Sequence, residues 1–216
     1  MVDFSFMDEA STEEIADKED LTRAQLALIR DTFTSTDRPP MWLAGGYAEE
    51  ALLNGQVTSE HGDVDFVAMF TDAKRIKGIY EGMGYQVTET HDPQAPQPYK
   101  LLLKKGNLGK VDIGLFYKDK QTGRIYADTG DGKGARYRVY FEPGVLSDEE
   151  QKLGDLSVKT MSPQFLMQAR EVFWQIGREA SPRPRDLTMQ EALRTRFFPD
   201  DDLKSHKFKP EIVPMG

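Results

Sequence analysis

Asp63 and Asp65 stand two positions apart in the run His61-Gly62-Asp63-Val64-Asp65-Phe66. In a strand, side chains at i and i+2 leave the same face, so both carboxylates enter one space. Two unit charges about 4 Å apart repel by roughly 4 kcal/mol at an effective dielectric of about 20, so the pair needs protons, arginines or a hard cation to persist. Oxygen-only ligands of this kind suit Mg2+, which takes one or two carboxylates and completes its shell with water and substrate phosphates. Just upstream, Gly45-Gly46 lets the backbone approach a ligand closely, and the free N–H groups at the start of the following helix favour an anion. A phosphate-binding bend beside a metal-binding pair describes a nucleotide site.

Each piece also has an ordinary reading. A Gly-Gly after a strand is a common turn, and Asp-x-Asp is a common solvated strand end or helix cap. Their order carries the inference: a strand from Met41 to Ala44, the Gly45-Gly46 bend, a short helix through Glu49 to Gly55, then Asp-x-Asp opening an apolar strand. Ala48, Ala51 and Leu52 share one face of that helix. A third carboxylate lies downstream. In Lys110 to Tyr117, Val111, Ile113 and Leu115 share one face and Asp112 projects from the other with Gly114 and Phe116. Periodicity alone leaves Asp112 either as a site residue or as an aspartate on a solvent-facing side of the sheet.

The elements that must position these groups follow from pattern. After an acidic, poorly patterned arm over residues 1–20, a helix is predicted from Leu21 to about Phe33, with Leu26, Ile29 and Phe33 as its apolar stripe. Asp37-Arg38-Pro39-Pro40 ends it. Phe66 to Phe70 is apolar on both faces, as a central strand is. A helix from Ala73 to about Met83, capped by Thr71 or Asp72, stops at Gly84 and leads to an exposed strand, Tyr85 to Glu89. The proline-rich stretch from His91 to Pro98 reads as a loop, with His91 a solvated loop residue rather than a ligand. Tyr99 to Lys105 and Lys110 to Tyr117 form a hairpin, and Arg124 to Asp128 pairs with Arg136 to Glu142 across the glycine-rich turn Gly130 to Gly134. Beyond Pro143 helices are expected. Ser162-Pro163 opens one with Phe165, Ala169, Val172 and Ile176 at helical spacing, and the basic stretch around Arg183 and Arg185 leads into a last one carrying Met189, Leu193 and Phe197. The chain therefore divides into an arm (1–20), a core (21–145), a helical region (146–198) and an extended tail (199–216).

Gly45-Gly46-Tyr47-Ala48-Glu49-Glu50-Ala51-Leu52-Leu53, Thr58 and Glu60-His61-Gly62-Asp63-Val64-Asp65 resemble the core motif of polymerase-beta-type nucleotidyltransferases, in the branch that adenylylates aminoglycoside and lincosamide antibiotics. Lys110-Val111-Asp112-Ile113 matches the context of that family's third acidic residue. Arg183-Pro184-Arg185-Asp186-Leu187 with Glu191-Ala192-Leu193 resembles its C-terminal signature, where a Lys usually stands at the position of Arg185 and a second Asp at that of Met189. Ser59 is a further departure, since the antibiotic-modifying enzymes commonly carry Arg there.

The resemblance implies an α/β (α+β) fold: a mixed twisted sheet flanked by helices, with extra antiparallel strands and a C-terminal helical part. It implies transfer of a nucleoside monophosphate, AMP above all, from ATP or another NTP to a hydroxyl of a small molecule. Asp63, Asp65 and Asp112 would hold two Mg2+ ions and serve catalysis. Gly45, Gly46, His61 and Arg185 would contact the nucleotide, though a structural histidine at 61 and a simple ion pair at Arg185 fit their surroundings in sequence as well. Glu50 is either site-facing or solvated. Transfer to a protein partner, or nucleotide binding without catalysis, are the alternatives.

Composition narrows the class. The 216 residues contain no cysteine and three histidines, which removes disulfides, thiolate metal sites and cysteine nucleophiles and disfavours zinc. A net charge of −8 speaks against a nucleic-acid surface and suits a cationic small acceptor. No apolar run of about 18 residues and no N-terminal signal pattern occur, which predicts no membrane association and a cytoplasmic protein, with an oligomer left open.

Overall fold

The computed structural model describes residues 12–91, 97–106, 109–130, 133–176, 183–201 and 209–215. The chain runs α1 (Thr12–Thr34), β1 (Met41–Ala44), α2 (Gly45–Leu53), β2 (Asp63–Met69), a 3-10 turn (Phe70–Asp72), α3 (Ala73–Gly82), β3 (Gln86–His91), β4 (Pro98–Lys104), β5 (Lys110–Lys118), β6 (Ile125–Gly130) and β7 (Arg136–Phe141). It continues with β8 (Leu146–Leu153), β9 (Leu156–Met161), α4 (Pro163–Gln175), α5 (Pro184–Phe197) and β10 (Glu211–Met215). One mixed sheet takes the strands in the order β10-β7-β6-β5-β2-β1-β9-β8, with β4 also paired to β5 and β3 to β4. This is the mixed, helix-flanked α+β architecture expected.

The central strands carry the core. On β2, Val64, Phe66 and Ala68 are buried, and on the neighbouring β5, Val111, Ile113 and Leu115 are buried in register with them. Phe33 of α1 meets Phe66, with ring centroids 6.3 Å apart, so α1 covers that face. The opposite face of β5 presents Phe116, which stacks on Phe141 of β7 and tilts against Phe165 of α4. Ser162 caps α4 through its hydroxyl, which accepts the Phe165 N–H, and Pro163 fills the first turn.

Several boundaries differ from the sequence expectations. Helix α1 reaches back to Thr12, into the stretch assigned to the arm, because no proline or glycine interrupts Thr12 to Thr34. His91 closes strand β3 rather than opening a loop. Residues 146–161, placed in a helical region, form the hairpin β8–β9, and β9 joins the sheet parallel to β1 through Leu43 and Thr160. The tail ends in a strand: β10 pairs antiparallel with β7 over five registered positions. The middle of the turn between β6 and β7, residues 131–132, and most of the loop at 92–96 lie outside the described residues. Among the described residues no helix is long and apolar enough to cross a membrane.

Candidate active site

Strands β2 and β5 run parallel, with Asp65 opposite Asp112 and Asp63 opposite Lys110. Registered neighbours share a face, so Asp112 stands on the side of the sheet that carries Asp63 and Asp65. The three carboxylates thus share one face of the sheet. Their mutual charge is felt at Asp65. Burial first, and then the charges of Asp63 and Asp112, push its carboxyl up to about 7, against a partial offset from Lys110 and Lys100.

Asp112 has a different environment. Its side chain is nearly buried; Lys100 from β4 donates to Oδ2 at 2.9 Å, and Lys110 lies 2.8 Å from the same oxygen. Oδ1 is buried and has no hydrogen-bond partner. Hydrogen bonding to Asp112, opposed by partial burial, raises the Lys110 ammonium above its ordinary value. Among the described residues no three acidic or histidine side chains are drawn together tightly enough to hold a metal ion as they stand. The donor set still fits a hard cation: Asp63 and Asp65 offer only carboxylate oxygens, and Asp65 is under-compensated.

The Gly-Gly element is not a separate bend. Helix α2 begins at Gly45 itself, directly after β1, and its N-cap residue Ala44 offers no side-chain hydrogen bond to the first turn. Gly45 has φ +59°, a left-handed conformation that glycine adopts without strain. A Cβ on Gly45 would collide with the Asp65 carboxylate, and one on Gly46 with the His61 imidazole. The two glycines therefore let the helix start press against two site side chains.

His61 is buried, with its ring 4.3 Å from that of Tyr47. Nε2 has no hydrogen-bond partner and lies 3.6 Å from Glu50 Oε1. Burial first, and then the charge of Arg185, lower its pKa despite the carboxylates nearby, so the ring is held toward neutrality. Glu50 is buried rather than solvated. It accepts from Asn54 Nδ2 at 2.6 Å, Thr58 Oγ1 at 2.8 Å and Ser59 Oγ at 2.8 Å. Burial would raise its carboxyl, but these hydrogen bonds outweigh it and hold the group below the usual range.

Helix α5 delivers Arg185, whose Nη2 reaches Ser59 Oγ at 3.4 Å. A guanidinium thus stands beside position 59 although the residue there is serine. The helix is anchored by ion pairs on buried acids: half-buried Arg170 of α4 pairs with both Glu49 of α2 and Asp186 of α5, and exposed Arg183 pairs with Asp186 as well. His91, by contrast, is exposed and contacts Glu89 at 3.2 Å, as its solvated reading expects.

Sequence reading did not single out Lys100, Lys110, Glu49 or Arg170. Lys100 meets Asp112 only through the antiparallel β4–β5 register. The Arg170–Glu49 pair spans 121 positions and has no local signature. Lys110 alone had one, since it lies two residues before Asp112 on the same strand face.

In sequence the chain matches no protein-family model and no curated protein. Solved structures do match. The structure of ANT(2")-Ia in complex with adenylyl-2"-tobramycin aligns with TM-score 0.60 at 16% identity, covering 83% of this chain and 91% of that one. The antibiotic-resistance factor ANT(2'')-Ia in solution aligns with TM-score 0.57 at 17% identity over 84% of each chain. The lincosamide antibiotic adenylyltransferase LnuA, with lincomycin bound, aligns with TM-score 0.52 at 20% identity over 79% of this chain and 95% of that one. The sequence resemblance pointed to the same branch, and the chain has the nucleotidyltransferase fold that these antibiotic-modifying proteins share.

Proposed function

We propose that the protein transfers a nucleoside monophosphate from a nucleoside triphosphate, ATP in the first instance, to a hydroxyl of a small molecule and releases pyrophosphate. The observation that carries this reading is the placement of Asp63, Asp65 and Asp112 on one face, with Asp65 pressed against the start of helix α2 at Gly45. A helix start without a side-chain cap is suited to a phosphate, because its first amides have no intrahelical acceptor. The structural neighbours add to it: one is seen with an adenylylated tobramycin and another with lincomycin.

Asp63 and Asp65 would hold Mg2+ against the triphosphate. When bound, the cation supplies charge neutralisation of the reacting phosphate and helps align it for in-line attack. Arg185, close to Ser59 and His61, would add a guanidinium to the phosphate side. Asp112 would orient the acceptor hydroxyl and take its proton, the lysines on Oδ2 fixing the carboxylate's plane. Gly45 and Gly46 serve by closeness: they allow α2 to start where the phosphates would lie.

The test is transfer of label from α-labelled ATP in Mg2+, screened against aminoglycosides, lincosamides and whole-cell lysate. Labelling of a small molecule supports the reading. Labelling of a single protein instead replaces the acceptor class, and nucleotide binding with no pyrophosphate release replaces transfer with binding alone.

A further inference from the structure

We propose that Lys100 and Lys110 take the place of a second divalent ion at Asp112, so that the loaded site holds one divalent ion, on Asp63 and Asp65. This inference rests on the nucleotidyltransferase reading and concerns how that site is charged. Two ammonium groups lie within 2.9 Å of a single carboxylate oxygen of Asp112. They arrive from different directions. Lys110 shares a strand and a face with Asp112, while Lys100 is set by the β4–β5 ladder, in which it stands opposite Gly114. Lys100 therefore shares a face with Asp112, which lies two positions from Gly114 on β5.

Two ammonium groups carry the same charge as one divalent cation. With them in place, three carboxylates and a triphosphate are neutralised to the same extent by one metal ion as they would be by two ions without the lysines. A cation approaching Asp112 through Oδ1, which has no partner, would still meet the repulsion of two ammonium groups held on Oδ2. Asp63 and Asp65 carry no such ammonium contact among the described residues. A pair of carboxylates completed by substrate phosphates is also the usual way in which Mg2+ is held.

Manganese, which reports its own coordination by electron paramagnetic resonance, gives a test that does not depend on turnover. The wild-type chain, Lys110→Met and the double variant Lys100→Met/Lys110→Met are titrated with Mn2+ in the presence of a non-hydrolysable ATP analogue. The wild type should bind one ion per chain with the spectrum of an isolated centre. The double variant should bind two, broadened by coupling between ions about 3.5–4 Å apart. Lys110→Met removes a largely exposed side chain, 59% accessible, and should fold even if the double variant does not; it should show a second ion binding at least about tenfold more tightly than any in the wild type. Two ions in the wild type, or one ion in every variant, would overturn the lysine assignment and leave the proposed activity standing. No Mn2+ binding in any of the proteins, with nucleotide present, would overturn both.

Discussion

Two groups of buried or half-buried acids lie close together in this molecule, and they are treated in opposite ways. On the helices, Glu49 and Asp186 share Arg170, Asp186 also has Arg183, and Glu50 is saturated by Asn54, Thr58 and Ser59. Their partners hold Glu50 and Asp186 below the ordinary carboxylate range even though burial alone would raise them. On the strands, Asp65 is pushed up to about 7 by burial and by two neighbouring carboxylates, and one oxygen of Asp112 has no partner at all. Acids whose charge the protein itself balances hold the scaffold together; Asp65, which it leaves under-balanced, is where the proposed cation and its phosphates would sit.

The sharpest way to break this contrast is to neutralise an under-balanced acid. Asp63→Asn and Asp65→Asn should each reduce kcat/KM for nucleotidyl transfer by more than about 1,000-fold, a loss of roughly 4 kcal/mol in transition-state stabilisation, with the fold intact by circular dichroism. Retained activity in either variant would remove the metal pair from the account.

The opposite outcome is expected at the balanced acids. Arg170→Met leaves Glu49 without the guanidinium it pairs with and weakens the hold on Asp186, and breaking a buried pair from one side typically costs about 3–5 kcal/mol. Urea unfolding should show that loss. Because Arg170 ties α5 to α2, KM for the nucleotide should rise as well, through Arg185.

The two groups should also differ in the sign of their pH dependence. Asp65 has a folded pKa above its unfolded value, so the folded form binds more protons and stability falls as pH rises from about 4 through 7. In EDTA, Asp65→Asn should therefore stabilise the protein at pH 8, by about 2–4 kcal/mol or about 5–10 °C in the thermal midpoint, and should bring little gain below pH 4. Glu50 and Asp186 have depressed pKa values, so their contribution is present above the ordinary carboxylate range and is lost as pH falls through their lowered values. A uniform response of wild type and Asp65→Asn across that range would contradict the difference between the two groups. The smallest effect expected is that of Ser59→Ala, which removes one of the hydrogen bonds to Glu50 and should cost about 1 kcal/mol, seen in the same urea titration.

Much of this site could be read from local pattern because strand periodicity is short-ranged. Asp63 and Asp65 had to share a face if their run was a strand, and Asp112 stood opposite the apolar face formed by Val111, Ile113 and Leu115. What depended on register or on distant pairing could not be read. Lys100 reaches Asp112 only because β4 and β5 align Leu102 with Asp112, and Arg170 reaches Glu49 only in the folded chain. The hairpin β8–β9 was hidden by composition: Leu146 to Leu153 is mostly polar, and as the outermost strand at its edge of the sheet it has little need of apolar residues. Gly45-Gly46 looked like a turn because its glycines signal one locally, whereas their use is to clear Asp65 and His61 at the start of a helix.

The most direct measurement of the central claim is calorimetric titration of the protein with ATP in Mg2+ and again in EDTA, alongside Asp63→Asn. Binding in Mg2+ that disappears both on chelation and in the variant is the result expected of a nucleotide held through a cation on the strand carboxylates. Equal affinity in all three experiments would contradict it.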